Sequence, residues 1–86
     1  MCTYVTERIA VSGSGKGRDG WFRLTDATVY YDHPVHALAE HTLNIDFAAP
    51  ALGPTARVAV ELDAESAEQL VAAVQRALAS RPDAVG

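Results

Sequence analysis

The chain has 86 residues, a length that fits one domain with a single small core. Its formal net charge is −4, and its seven Lys and Arg residues are scattered, which argues against nucleic-acid binding. No apolar run approaches the roughly 20 residues of a membrane-spanning helix. The composition therefore predicts a single domain over residues 1–86 that binds neither nucleic acid nor membrane.

The cellular compartment and the oligomeric state of this domain can be predicted from its cysteine content and its small side chains. The N-terminus lacks the charged and apolar regions of a signal peptide, and the lone cysteine, Cys2, fits a reducing compartment. We therefore expect a cytoplasmic protein. Only six residues are aromatic, so the core must be built from small side chains, and we expect a homodimer to complete it. Three aromatic residues are candidates for that interface: Tyr4, Trp21 and Phe22.

Periodicity predicts four strands followed by one helix. Apolar and polar residues alternate over four stretches, and apolar residues recur at helical spacing over a fifth. The predicted strands cover residues 3–11, 21–32, 40–47 and 56–62, and the predicted helix covers residues 64–79, with Asp63 as its N-cap. The pattern predicts an α+β fold in ββββα order, with the C-terminal helix packed on one face of a mostly antiparallel sheet. Residues 83–86 are expected to fray.

Two irregularities interrupt this pattern. In the second strand the alternation changes phase near Thr25 and Asp26, which predicts either a bulge or a sheet covered on both faces. Residues 12–20 hold four of the six glycines, and we expect them to form a flexible loop. The loop resembles a phosphate-binding loop, but Lys16 is followed by Gly17 and then by a strand, whereas that motif needs Ser or Thr and a helix. Nucleotide binding is therefore not expected there.

All three histidines fall within nine residues, at His33, His36 and His41. Pro34 predicts a bend, and a turn can bring residues three apart to within about 7 Å, so the first two imidazoles could converge. With Cys2 they supply the imidazole and thiolate ligands of zinc, iron and copper sites. We predict a transition-metal site at these four residues, with zinc as the default ion. A structural ion would use all four ligands, and a catalytic ion would keep one position open.

Two alternatives remain, because the spacing of these histidines matches no established zinc motif. In the first, the histidines are independent, and the protein is a metal-free homodimeric module that holds a small apolar ligand or a partner on its sheet. In the second, Cys2 is a nucleophile that a histidine deprotonates. Strand order decides whether Cys2 can meet the histidines. It lies far from His41 if the first and third strands are antiparallel neighbours, and near it if they are parallel or meet across a dimer.

Several short motifs together resemble a small actinobacterial family that is classed as a domain of unknown function. They are Met1-Cys2-Thr3-Tyr4, Gly13-Ser14-Gly15-Lys16-Gly17, Gly20-Trp21-Phe22, Asp32-His33-Pro34-Val35-His36 and His41-Thr42-Leu43-Asn44-Ile45-Asp46-Phe47. The resemblance covers nearly the whole chain. It implies a stand-alone bacterial protein of about this size, and it implies no activity, ligand or catalytic residue.

Overall fold

The computed structural model describes residues 5–32 and 41–82. Its elements, in chain order, are β1 (Thr6–Gly17), β2 (Gly20–Asp32), β3 (Thr42–Ala48), a 3-10 turn (Pro50–Leu52), β4 (Arg57–Leu62) and α1 (Ala64–Ala79). The strands form one open sheet in the order β1-β2-β3-β4, and every neighbouring pair is antiparallel. The predicted α+β fold in ββββα order is confirmed. The predicted fraying of residues 83–86 lies outside the described residues.

The glycine-rich segment is a regular hairpin, so the expectation of a flexible loop over residues 12–20 was wrong. β1 continues to Gly17 and β2 begins at Gly20, which leaves a two-residue turn at Arg18 and Asp19. Gly20 has a φ of 112°, a conformation that glycine adopts without strain. Two of the earlier glycines, Gly15 and Gly17, serve packing. A Cβ on Gly15 would lie 3.1 Å from Leu24 Cδ1, and one on Gly17 would lie 2.9 Å from Phe22 Cε1.

The predicted irregularity near Thr25 is a β-bulge whose extra residue lies in β1. Ala10 pairs with Asp26, and the next pair joins Gly13 to Leu24. Two residues of β1 therefore face one residue of β2 across this step. A bulge of this kind changes which residues of β1 share a face, whereas the change of phase in the sequence lies in β2, where Leu24 and Ala27 are both buried.

The central strand β3 buries its polar side chains more deeply than its apolar ones. Thr42 is 0% exposed and Asn44 is 4% exposed. Leu43, Ile45 and Phe47 alternate with them and are only half-buried. The Thr42 Oγ1 hydroxyl donates a hydrogen bond of 2.8 Å to Asn44 Oδ1, which offsets part of the cost of burying both groups. The sequence marked this strand as alternating, but it did not show which side is covered.

The apolar core is small and is made mostly of alanine. Among the described residues the buried apolar side chains are Leu24, Ala27, Ala49, Ala56 and Ala67. Ala49 and Ala56 are joined by a backbone hydrogen bond of 3.0 Å that closes the connection between β3 and β4. Since hydrophobic stabilisation scales with buried apolar area, four alanines and one leucine contribute little.

The helix α1 has the predicted bounds, residues 64–79. Asp63 caps it by accepting a hydrogen bond of 2.7 Å from the Ser66 backbone N–H. The helix contacts β3 and β4, but Ala67 in its first turn is the only helix residue that is buried. The rest of the predicted apolar stripe remains exposed, so the helix lies against the sheet without burying its apolar side.

Candidate functional site

Of the four predicted metal ligands, His41 alone lies within the described residues. Cys2, His33 and His36 lie outside them. Within residues 5–32 and 41–82, no group of three or more His, Cys, Asp and Glu side chains could hold a metal ion. The sheet residues that flank the histidines show where the histidine segment begins and ends.

The two ends of the histidine segment meet at one end of the sheet. Asp32, the last residue of β2, pairs with Thr42, the first residue of β3. Directly opposed residues in an antiparallel pair have Cα atoms about 4.5–5.5 Å apart. The chain therefore leaves β2 and returns into β3 at adjacent positions. We call this part of the molecule the histidine end of the sheet, defined by Asp32, His41 and Thr42.

The start of β1 lies at the same end. β1 and β3 are both antiparallel to β2, which lies between them, so they run parallel to each other. One row of the sheet joins Thr6 to Tyr30, Tyr30 to Asn44 and Asn44 to Glu61. The chain therefore enters β1 two residue rows from Asp32, on the side where the histidine segment begins and ends. The sequence left the strand order open. In the structure, β1 starts at the end of the sheet where His41 lies.

His41 stacks on an aromatic neighbour. Its ring centroid lies 5.8 Å from that of Tyr31, and the two rings are nearly parallel, at 16°. His41 is half-buried, as is Tyr31. Stacking engages the face of an imidazole, whereas metal coordination uses a lone pair in the plane of the ring. The observed orientation is therefore compatible with a ligand role.

The sequence did not single out Thr42 and Asn44, although Thr42 belongs to the histidine end and donates a hydrogen bond to Asn44. They are buried, and within the described residues every buried side-chain nitrogen and oxygen atom has a hydrogen-bond partner. Their position beside His41 gives the histidine end a polar, internally bonded support. The available signal was polar alternation within a central strand, where buried polar groups need partners.

One family model matches residues 1–86, the full length of the 86-residue sequence. The chain belongs to DUF6295, a family of unknown function. This confirms the resemblance to a domain of unknown function, while the actinobacterial origin stays a prediction. No curated protein and no solved structure matches the chain. Membership of DUF6295 assigns no activity, so residue roles must come from the geometry.

The β1–β2 hairpin of this DUF6295 chain carries a second concave surface. A shallow groove of about 480 Å³ is lined by Ser12, Gly13, Ser14, Trp21, Phe22 and Arg23. Trp21 is 70% exposed, while Phe22 is half-buried. A cavity of about 160 Å³ lies between the turn of this hairpin and the 3-10 turn. It is lined in part by Leu52, which is also largely exposed. The hairpin thus presents apolar surface at the opposite end of β2 from the histidines.

The described part of the chain contains no helix that is long and apolar enough to cross a membrane. The predicted cysteine-enzyme role depends on Cys2, which lies outside the described residues, and it stays a prediction. The predicted homodimer contact at Tyr4 lies outside them as well, whereas Trp21 and Phe22 lie on the hairpin.

Proposed function

We propose that this DUF6295 protein binds a transition metal at the histidine end of its sheet. His33, His36 and His41 are the imidazole ligands, and Cys2 is the candidate fourth ligand. Zinc is the default ion because it accepts imidazole and thiolate ligands together, and iron and copper are the alternatives. One feature of the fold supports this proposal. β1 and β3 run parallel, so β1 begins at the end of the sheet where the histidine segment leaves β2 and enters β3.

The distances across the sheet allow this ligand set. Neighbouring strands lie about 4.8 Å apart, so two spacings separate β1 from β3 by about 10 Å. Three residues of extended chain span up to about 10 Å. Cys2 precedes Val5 by three residues, and Val5 directly precedes β1. A thiolate at position 2 is therefore within reach of an ion held by His41.

The polar support at the histidine end suits a metal ligand. The backbone of His41 continues into Thr42, whose side chain is bonded to Asn44 and fully buried. A ligand on such a strand end keeps its position better than one on an exposed loop. With three histidines and Cys2 bound, the ion would stabilise the fold. With three ligands and an open position, it would supply Lewis-acid or metal-hydroxide chemistry for a small molecule.

Elemental analysis of untagged protein, purified without metal-affinity resin, tests the proposal. We expect about one equivalent of a transition metal per chain, and none in a variant with His33, His36 and His41 replaced by Ala. A matched control is Glu65→Ala with Glu68→Ala, which removes two exposed carboxylates of α1 and should leave the metal content unchanged. The proposal fails if the folded protein is metal-free and takes up no zinc, iron or copper.

A Cys2→Ser variant separates the two forms of the site. If Cys2 is the fourth ligand, the variant should bind the ion more weakly, and it should lose the thiolate-to-metal absorption band in cobalt-substituted protein. If three histidines hold the ion with an open position, the cobalt spectrum should be the same in both proteins.

The second candidate function is the metal-free homodimeric module. It is favoured by the large apolar side chains that remain exposed on α1 and on the β1–β2 hairpin. Metal-free protein that is folded and dimeric, with unchanged stability in a chelator, would favour this alternative over the metal site.

A further inference from the structure

The apolar stripe of α1 contains four large side chains that remain exposed. Leu70, Val71, Val74 and Leu78 are 43%, 57%, 48% and 51% exposed. Residues at these spacings lie on one side of a helix. A helix that packed its apolar side onto its own sheet would bury such residues, yet Ala67 alone is buried.

The charged and amide side chains of α1 avoid this side. At 100° per residue, the stripe from Leu70 to Leu78 contains only apolar residues, while Gln69 projects from the opposite side of the helix. Charged residues are normally depleted at the centre of a protein interface. The stripe therefore has the composition of a surface that is covered.

The amount of exposed surface indicates the size of what covers it. The chain exposes 6678 Å², whereas a folded monomer of its 9.1 kDa mass is expected to expose about 4,900 Å². That total includes the residues outside 5–32 and 41–82. The difference, about 1,800 Å², is the upper limit of the excess that the described residues carry, and the roughly 800 Å² per partner of a standard interface lies within it.

We propose that a second copy of this chain covers the α1 stripe, in a two-fold symmetric dimer to which both copies contribute α1. A two-fold interface places the same patch on both subunits, so the patch must be self-complementary. An uncharged stripe of Leu, Val and Ala meets that condition, because it brings no like charges together. The interface completes the core, since the buried apolar side chains among the described residues are only four alanines and Leu24. This inference is independent of the proposed metal site.

Sedimentation or light scattering at several protein concentrations tests the dimer. We expect wild-type protein at twice the 9.1 kDa chain mass, in buffer with and without chelator. Val74→Glu places a charge in the centre of the stripe and should raise the dimer dissociation constant by at least about 30-fold. Gln69→Glu adds the same charge on the opposite side of α1 and should leave the dissociation constant unchanged.

Two results would overturn the proposal. One is folded wild-type protein that remains monomeric at about 100 μM, a concentration at which a stable dimer is fully formed. The other is a Val74→Glu protein that dimerises as tightly as the Gln69→Glu control. If Val74→Glu does not fold, the pair Leu70→Ala and Val74→Ala replaces it, because alanine preserves helix propensity. That double variant should keep its helical circular dichroism and weaken the dimer at least about 10-fold, and an unchanged dissociation constant contradicts the proposal.

Discussion

Gly15 and Gly17 illustrate how a residue type can mislead at the level of single residues. Glycine in a loop usually signals flexibility, and a run of glycines before Lys16 resembles a phosphate-binding loop. Here the two glycines lie in a paired strand, where the side chains of Leu24 and Phe22 cross the backbone of β1. Their function is to leave room, and the hairpin depends on the missing Cβ atoms.

Replacing Gly17 by Ala should destabilise the hairpin. Its Cβ would lie 2.9 Å from Phe22 Cε1, so the ring or the strand must shift, and overpacking of this kind costs about 1–3 kcal/mol. Gly13→Ala is the matched control. A Cβ at position 13 has no neighbour within 4 Å, and alanine restricts the unfolded chain, so stability should be unchanged or rise by about 0.5 kcal/mol. Thermal unfolding of both variants measures the difference, and equal melting temperatures would contradict the close packing at Gly17.

At the histidine site, the sequence identified the candidate ligands but not their arrangement. Three clustered imidazoles and one thiol identified candidate ligands by their chemistry alone. Their convergence depends on pairings between distant positions, such as Asp32 with Thr42 and Thr6 with Tyr30. Such register is not encoded in local spacing, so the sequence could name the ligands but could not bring them together. The buried pair of Thr42 and Asn44 was missed for the same reason, because polar alternation does not reveal which face is covered.

The helix is the element that the sequence predicted most completely. Its bounds and its N-cap follow from local signals, namely apolar residues at helical spacing and Asp63 before the first turn. Amphipathic periodicity identifies the apolar side of a helix without identifying what lies against it. The sheet of the same chain was the natural expectation, yet the side chains from Leu70 to Leu78 remain exposed. With few tertiary contacts, α1 depends on the interactions at its own ends.

Protonation of Asp63 should therefore loosen α1. Hydrogen bonds from the Ser66 side chain and from its backbone N–H lower the pKa of Asp63 below 3.8. A carboxylate with a lowered pKa in the folded state contributes stability that is complete above its unfolded pKa and is lost as the pH falls through the folded pKa. Asp63→Asn keeps a capping oxygen but cannot titrate. Between about pH 5 and about pH 2, the melting temperature of wild-type protein should fall further than that of Asp63→Asn. Parallel curves for the two proteins would show that the cap does not contribute.

On the scale of the whole molecule, the small core and the exposed helix have the same meaning: the described part of the chain buries little apolar surface. An isolated domain of this size is already marginal, and the buried apolar residues in the described part of the chain are mainly alanine. If a second copy supplies the missing contacts, folding and association are one equilibrium. Stability then depends on the protein concentration as well as on the sequence.

The melting temperature of wild-type protein should rise with its concentration. For a dimer that unfolds to separate chains, each tenfold increase adds about 1.4 kcal/mol to the stability of the native state, which corresponds to a shift of a few degrees. Calorimetry or circular dichroism over a hundredfold range measures the slope. Val74→Glu should reduce the slope, and Gln69→Glu should preserve it. A melting temperature independent of concentration in the wild-type protein would mean that single chains unfold alone.

The strand order β1-β2-β3-β4 also bears on how quickly this protein can form. Every strand pairs with its neighbour in sequence, so each pairing closes a short loop at a small entropic cost. Hairpins form in about 1–10 μs, and sheets built from them can grow one strand at a time. Encounters between two chains are slower at ordinary concentrations. We therefore expect each chain to complete its sheet before it associates with a second copy. The slowest phase of refolding should then be bimolecular, and its rate should increase with the protein concentration.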